Sequence, residues 1–428
     1  MSDSPVRVGL LGCSNVGGSL VKLVQDQGDM IAERNGVRLV ITRIAVRNLA
    51  KERIVPIPDG VLTHDSEGVV TDPEIDVVVE AMGGIEPARS LILEALKCGK
   101  PVVTANKELL ANVGEELFEA AASAGVDLLY EASVGGGIPL IRPLRESLAG
   151  ERITRVMGIV NGTTNYVLTR MTEEGASYGE ALAEAQTLGY AELDPTADVE
   201  GFDASAKAAI IAGIAFGAKV VAGDVYREGI SGINANDISF ATRLGYAVKL
   251  LAIAEQIDGE VAVRVHPAMV PNTHPLASVR ESFNAVFIEG AAVGDLMLYG
   301  RGAGGMPSAS AVLGDLIDAA HNLRIGGAGR TSTLKRMPIR PIDELVSQYY
   351  INMEVADRPG VLAAVAGVFG ANNVSIRSME QIGLGDEAEL VFITHTAREA
   401  DMQATITGLR KVDAVDRIGT ILRVVGEE

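Results

Sequence analysis

The 428-residue chain contains no tryptophan, and aromatic residues make up 4% of it. Cysteine is equally scarce. Cys13 and Cys98 are too few for a disulfide framework, and no CxxC spacing of a metal site is present. Five histidines, at 64, 266, 274, 321 and 395, form no ligand-like group, and no zinc or Ser-His-Asp pattern accompanies them. Basic residues are outnumbered, with 37 Lys and Arg against 56 Asp and Glu, a formal net charge of −19. Such a surface repels phosphate backbones and argues against nucleic acid or an anionic membrane as partner. No uninterrupted apolar run approaches the roughly 20 residues of a membrane span. The opening "MSDSPVRV" lacks a basic-then-apolar leader pattern, so the cytoplasm is the expected location.

What is present is glycine, 48 residues of it, in a chain that is 47% hydrophobic and 22% charged. That mix suits an α/β protein with tight turns, and the length suggests two or three domains at roughly 100–200 residues each. Apolar strand-like runs at 6–11, 37–46, 75–80, 101–104 and 126–131 alternate with helical segments such as 87–98 and 107–124. Continuous apolar strands between helices predict a doubly wound parallel sheet. The alternation stops after "GGGIP" (135–139), and a glycine-rich run, "YGRGAGGMPSAS" (299–310), precedes a helical pattern at 311–323. We place a dinucleotide-binding domain at 1–136 plus 300–325, a substrate and dimerisation domain at 137–299 and a linker at 326–348. The tail, 349–428, reads β-α-β-β-α-β, a ferredoxin-like module whose helix has Asp357 and Pro359 at its start.

Three segments carry chemistry. "VRVGLLGCSNVGGSL" (6–20) runs from strand through glycine-rich turn to helix. Gly12 permits the turn, and Gly17 and Gly18 let the helix approach the sheet. The helix start at Asn15, Val16 and Gly17 then offers N–H groups and a positive dipole end to a pyrophosphate. The usual G-x-G-x-x-G has Ser14 at its middle glycine. The second strand ends in "IAVRNLAKER", where an NAD site commonly has an acid. Arg47, Lys51 and Arg53 suit a 2′-phosphate instead, so NADP(H) is favoured over NAD(H). The bland alternatives are an ordinary βα turn and a solvated charged loop. Cys13 reads as a small residue in a tight turn rather than a redox sensor.

"VVTANKELL" (102–110) puts Asn106 and Lys107 at the carboxyl end of a parallel strand, where active sites of such sheets lie, although a helix cap and a surface lysine fit equally well. The third segment, "GYAELDPTADVEGFDASAKAAIIAGIAFG" (189–217), crowds Glu192, Asp194, Asp198, Glu200 and Asp203 before a helix at about 202–216 that is apolar almost all round. Lys207 interrupts that helix one turn after Asp203, on the same face. An exposed pair at this spacing contributes only a few tenths of a kcal/mol, but lysine is rarely buried and its pKa moves easily when it is. Carboxylates converging on a buried lysine point to an active site.

Together with "NGTTNYVL" (161–168), "YEASVGGGIP" (130–139) and "RGAGGMPSASAVLGDL" (301–316), these segments resemble homoserine dehydrogenase, in its long form with a C-terminal ACT regulatory domain. The resemblance covers essentially the whole chain. It implies reversible hydride transfer between L-aspartate 4-semialdehyde and L-homoserine, in threonine, methionine and isoleucine biosynthesis. It makes Lys207 the general acid, Lys107 a catalytic and cofactor-side lysine, and Glu192, Asp203 and Asp198 substrate-binding residues. Gly189 and Gly304 fall at positions close to the cofactor. Backbone carbonyls of Glu131, Val134, Gly136 and Ile138 match a monovalent-cation site, expected to take Na+. The ACT module implies threonine as allosteric ligand, against a purely oligomerising alternative, and a homo-oligomer, dimer or tetramer. Ser14 is the departure from the family pattern. A non-catalytic amino-acid sensor on a degenerate scaffold is the competing class, which retention of Lys107, Glu192, Asp203 and Lys207 together disfavours.

Overall fold

A computed structural model describes residues 4–329, 334–383 and 387–426. Residues 330–333 of the expected linker and 384–386 and 427–428 of the expected C-terminal module lie outside that set. Chain order begins β1 (Val6–Leu11), α1 (Asn15–Asn35), β2 (Leu39–Ala45), β3 (Leu62–Thr63), α2 (Ser66–Thr71), β4 (Val77–Glu80), α3 (Ala88–Lys97), β5 (Val102–Thr104), α4 (Lys107–Ala124) and β6 (Leu128–Leu129). It continues with β7 (Ile153–Ile159), α5 (Gly162–Glu174), α6 (Tyr178–Thr187), α7 (Thr196–Val199), α8 (Phe202–Phe216), β8 (Tyr226–Arg227), α9 (Ala235–Arg243), β9 (Tyr246–Ile257) and β10 (Glu260–Pro271). Next come β11 (Phe283–Gly290), β12 (Gly294–Arg301) and α10 (Gly305–Ile325). The tail holds β13 (Val346–Ala356), α11 (Val361–Ala371), β14 (Ile376–Gly383), β15 (Glu387–Thr394), β16 (Ala397–Arg398), α12 (Glu399–Leu409) and β17 (Val415–Val424). The chain divides into two compact units: Met1–Val156, Ala206–Val225 and Asn284–Met337 form the first, and Met157–Ser205, Tyr226–Phe283 and Pro338–Glu428 the second.

In the first unit six strands lie in the order β3-β2-β1-β4-β5-β6, every neighbouring pair parallel. This is the order of doubly wound nucleotide-binding sheets, with its switch point between β1 and β4. The apolar runs explain it: Val8, Leu10, Val77 and Val79 are fully buried, as strands covered on both faces must be. Against them pack Leu20, Leu23, Val24 and Ile31 of α1, and Val312, Leu316 and Ala320 of α10. Each fully buried Leu or Ile side chain contributes about 1.5–3 kcal/mol. Helix α1 stops at Gly36 and α4 at Gly125, both with left-handed φ (65° and 67°), which glycine adopts without a Cβ penalty. Two boundaries differ most from the sequence reading. The last strand covers only Leu128–Leu129, because Glu131–Ser133 turns into a 3₁₀ segment. The helix expected at 311–323 begins at Gly305, inside the glycine-rich run.

In the second unit β9 and β10 form a long antiparallel hairpin closed by Asp258 and Gly259. Both turn residues have positive φ, 52° and 85°, the type I′ arrangement that matches strand twist. Strand β17 joins β10 in parallel, and the sheet continues through β13 and β15 to β14. The tail is thus the expected βαββαβ module. Its core is Tyr349, Ile351, Met353, Val365, Phe369, Phe392, Met402 and Leu409. One detail is corrected: α11 starts at Val361 after Gly360, and the Asp357 carboxylate accepts from Gln381 Nε2 at 3.4 Å rather than capping the helix.

Candidate active site

The β1–α1 loop lies at the switch point of the first unit. Gly12 has φ 94°, and a Cβ there would stand 2.6 Å from the Ala81 carbonyl oxygen. A Cβ on Gly17 would overlap the Gly12 carbonyl itself. Both glycines are therefore steric requirements of the turn. Ser14 precedes α1 without capping it through its side chain. Gly305 brings the start of α10 onto α1, since a Cβ there would lie 2.7 Å from Ser19 Oγ and 3.0 Å from the Asn15 carbonyl. Gly304, with φ 120°, makes that approach possible.

An open pocket of about 330 Å³ begins at this loop, lined among others by Gly12, Ser14, Arg47, Lys51, Arg53 and His64. Of the predicted loop residues, Gly12 and Ser14 share this space with the predicted basic residues, while Asn15, Val16 and Gly17 do not line it. Arg53 has a structural duty: its guanidinium donates to the Cys13 carbonyl at 3.1 Å and also to the Asn48 carbonyl, tying the glycine-rich turn to the loop after β2. Cys13 is buried, and that burial pushes its thiol pKa up, which disfavours the reactive thiolate.

One feature beside the pocket was not singled out from sequence. Glu80, at the end of β4, is fully buried. Its carboxylate accepts from Thr104 Oγ1 at 2.6 Å, Met82 N at 2.7 Å and Gly83 N at 3.1 Å, fixing the loop after β4. Asn106 caps α4, accepting from Leu109 N at 3.1 Å and donating to the Gly84 carbonyl at 2.7 Å. Lys107 is the first residue of α4 and half-buried, at the carboxyl end of β5 as predicted.

Residues 130–138, also in the first unit, fold into a buried turn. The Glu131 carboxylate accepts from Leu140 N (2.5 Å), Ile141 N (2.8 Å) and Arg142 N (2.7 Å), and its own N–H donates to Asp315 at 2.7 Å. A Cβ on Gly136, φ 56°, would stand 2.5 Å from the Gly302 carbonyl oxygen, so only glycine fits. Val134, Gly136 and Ile138 are themselves buried. No group of three His, Cys, Asp or Glu side chains suited to a metal occurs among the described residues.

In the second unit the carboxylates before α8 are sorted into two sets. Asp198 and Asp203 are brought together by one side chain: Asn161 Nδ2 donates to Asp198 Oδ1 at 2.7 Å and to Asp203 Oδ2 at 2.9 Å. Thr163 Oγ1 lies 2.6 Å from the Tyr190 carbonyl and 3.2 Å from Asp198 Oδ2. Glu192 is exposed and outside that network; its main-chain carbonyl accepts from Gln186 Nε2 at 3.0 Å. Gly189, φ 76°, turns the chain out of α6. Helix α8 carries Asp203 in the second unit and Lys207 in the first, one helical turn apart. Lys207 is 8% exposed. The signal for Asn161 was the strand–Asn–Gly–Thr–Thr order of "VNGTTN", an N-cap at the end of a strand.

Residues 12–131 match the family model described as homoserine dehydrogenase, NAD binding domain, residues 139–317 the homoserine dehydrogenase model, and residues 349–414 the ACT domain. The chain is 49% identical over 436 residues to a homoserine dehydrogenase of Mycobacterium tuberculosis, covering 99% of this chain and 98% of the relative. It is 48% identical over 427 residues to that of Corynebacterium glutamicum, covering 98% and 96%. The crystal structure of a homoserine dehydrogenase from Thiobacillus denitrificans superposes with a TM-score of 0.93 at 40% identity, covering 99% of this chain and 98% of that one. A hyperthermophilic archaeal homoserine dehydrogenase in complex with NADPH superposes at 0.62 with 29% identity, over 74% of this chain and 98% of that one.

Proposed function

This chain belongs to the homoserine dehydrogenase family, and we propose that it interconverts L-aspartate 4-semialdehyde and L-homoserine with NADP(H) in preference to NAD(H), a step toward threonine, methionine and isoleucine. The observation that carries the reading is α8, where a nearly fully buried lysine follows a carboxylate by one helical turn.

The nucleotide loop fits the cofactor: its glycines leave no room for side chains, and its pocket reaches Arg47 and Lys51. Gly12, Ser14, Asn15, Val16 and Gly17 would hold the pyrophosphate at the start of α1, Gly304, Gly189 and Lys107 would also meet the cofactor, and Arg47 and Lys51 would meet a 2′-phosphate. The bound nicotinamide supplies or accepts the hydride. The rest of the chemistry falls to side chains. Lys207 gives a proton to the aldehyde oxygen as it becomes an alcohol, and takes it back in the reverse direction. Burial limits the water that competes for that proton. Glu192, Asp203 and Asp198 hold the polar ends of the amino-acid substrate, and Lys107 sits by the reacting end. We assign the carbonyls of Glu131, Val134, Gly136 and Ile138, all on buried residues, to a site for Na+, a hard cation bound through oxygen. In the ACT module a pocket of about 340 Å³, lined by Asp357, Arg358, Gly360 and Gln381 among others, suits a small zwitterion, and we assign it to threonine as feedback inhibitor of a homo-oligomeric enzyme.

The purified chain should consume NADPH on addition of aspartate semialdehyde, with a higher kcat/KM for NADPH than for NADH. Lys207→Ala should bind NADPH nearly unchanged while kcat falls about 10²–10⁴-fold, the scale of general acid catalysis. A wild-type kcat in that variant removes Lys207 from the proton step, and an NADH preference removes Arg47 and Lys51 from cofactor selection.

A further inference from the structure

We infer that Asn161 is a positioning residue: its amide clamps Asp198 and Asp203 together and so fixes the acidic face that the proposed reaction presents to its amino-acid substrate. The inference rests on the reading of Asp203 and Asp198 given above. Asn161 lies between β7 and α5, is buried, and spends its whole hydrogen-bonding capacity. Oδ1 accepts from Thr164 N at 2.9 Å and from Thr164 Oγ1 at 3.0 Å. Because a backbone N–H can only donate, this end must be the oxygen, and the amide orientation is settled. The NH₂ group therefore faces the other way, and its two hydrogens go to one oxygen of each aspartate, at 2.7 and 2.9 Å.

Two carboxylates held by a single amide are close enough to repel each other, and each N–H offsets that repulsion by favouring the ionised form. Thr163 is a further donor to Asp198, and a weaker one. Thr163 Oγ1 has one hydrogen, and the Tyr190 carbonyl at 2.6 Å is nearer than Asp198 at 3.2 Å. The charged groups near the amide include Asp198 from α7 and Asp203 from α8, with Lys207 one turn further along α8. Asparagine performs two tasks here, capping α5 with its oxygen and bridging the acids with its nitrogen, and substitution can separate them. Asp and Ser both cap helices well. Asn161→Asp would keep the size and the cap but present an acceptor to two acceptors; Asn161→Ser would keep the cap and fall short of both carboxylates.

In the full-length chain, Asn161→Ser should retain NADPH affinity and melt near wild type, and Asn161→Asp should retain NADPH affinity while melting lower, because its carboxylate faces two others. Their kcat/KM for homoserine should fall about 10²-fold, the scale of a substrate group misplaced by an ångström. The acid limb of the pH–kcat/KM profile should move to higher pH, since losing donors to a carboxylate raises its pKa. The pair Asn161→Ser and Asp203→Asn should be non-additive, as residues acting through one contact are. Wild-type kcat/KM with an unmoved acid limb in Asn161→Asp, or losses that simply multiply in the double variant, would overturn the inference. Full activity in Asp203→Asn alone would instead overturn the substrate role of Asp203, so the two failures are told apart.

Discussion

Asp315 shows how far a single side chain can depart from its sequence appearance. In "AVLGDLIDAA" it reads as one of two acids on an ordinary helix. In the structure it is buried, and it takes the Glu131 N–H on one oxygen and the Arg142 guanidinium, at 2.8 Å, on the other. Burial pushes its carboxyl up to about 7, against the pull of both donors. A folded pKa raised above the unfolded value gives stability that is full below about pH 4 and is lost as pH climbs toward 7. Denaturant unfolding should therefore show stability falling across that window, by at most about 1.4 kcal/mol per pH unit. Asp315→Asn should remove this slope. An identical slope in the variant would show that Asp315 stays ionised throughout. Lys207 was easier to find, because a lone cation inside an apolar helical pattern is conspicuous whatever surrounds it. Asn161 and Glu80 were not, since their partners are 37 and 24 residues away, and no local pattern announces a long-range hydrogen bond.

Among the elements, the β1–α1 turn was the most legible. Its apolar strand, glycines and helix follow from local sterics, and the departure at Ser14 leaves the turn intact because Gly12 and Gly17 carry the close contacts. Gly17→Ala tests this directly. The added methyl would meet the Gly12 carbonyl, and the loop would have to open. NADPH affinity should weaken about tenfold or more, equivalent to about 1.4 kcal/mol for each factor of ten, while the ACT module keeps its fold. Isothermal titration with NADPH reads the effect, and unchanged affinity would mean that the loop does not contact the cofactor. Elements whose identity depends on partners were harder. The β9–β10 hairpin has buried residues on nearly every position, so it shows no alternation, and only the Asp258-Gly259 turn marks it locally. Helix α10 starts six residues earlier than its apolar pattern because Gly304 and Gly305 are needed for its approach to α1.

For the molecule as a whole, the C-terminal module is built into the second unit rather than appended to it. Strand β17 pairs with β10 through Ala268–Arg423 and Met269–Val424. Buried Arg423 donates at 2.9 Å both to Glu228, from the substrate region, and to Glu399 of the module. Asp237 on α9, fully buried, accepts from Thr420 at 2.5 Å and from Tyr350 at 3.4 Å. Glu228 is followed by Ile230, whose N–H donates to the Val199 carbonyl at 2.8 Å, beside Asp198. Truncation at 349 would strip β17 from β10, remove these hydrogen bonds from Glu228 and Asp237, and uncover apolar surface that β17 and β13 now cover. The truncated chain should melt lower, by about 2–4 °C for each kcal/mol lost. A cleaner probe of regulation is Asp357→Ala, which touches only the module's pocket: threonine inhibition should disappear while the melting temperature stays near wild type. Persistent inhibition in that variant would place the inhibitor elsewhere.

Periodicity, turn chemistry and spacing along the chain were enough for the parallel sheet, the βαββαβ tail, the glycine-rich β1–α1 turn and the one-turn spacing of Asp203 and Lys207 on a buried helix, because each depends on neighbours within a few residues or on a repeating apolar pattern. The tertiary structure alone decided which acids gather. Asp198 and Asp203 share the Asn161 amide and Glu192 stands outside it, Asp315 is buried against Glu131, and Arg423 joins the tail to Glu228. Those choices are made by burial and by hydrogen bonds between distant segments, and a carboxylate looks the same in sequence whether it ends in water or against an amide.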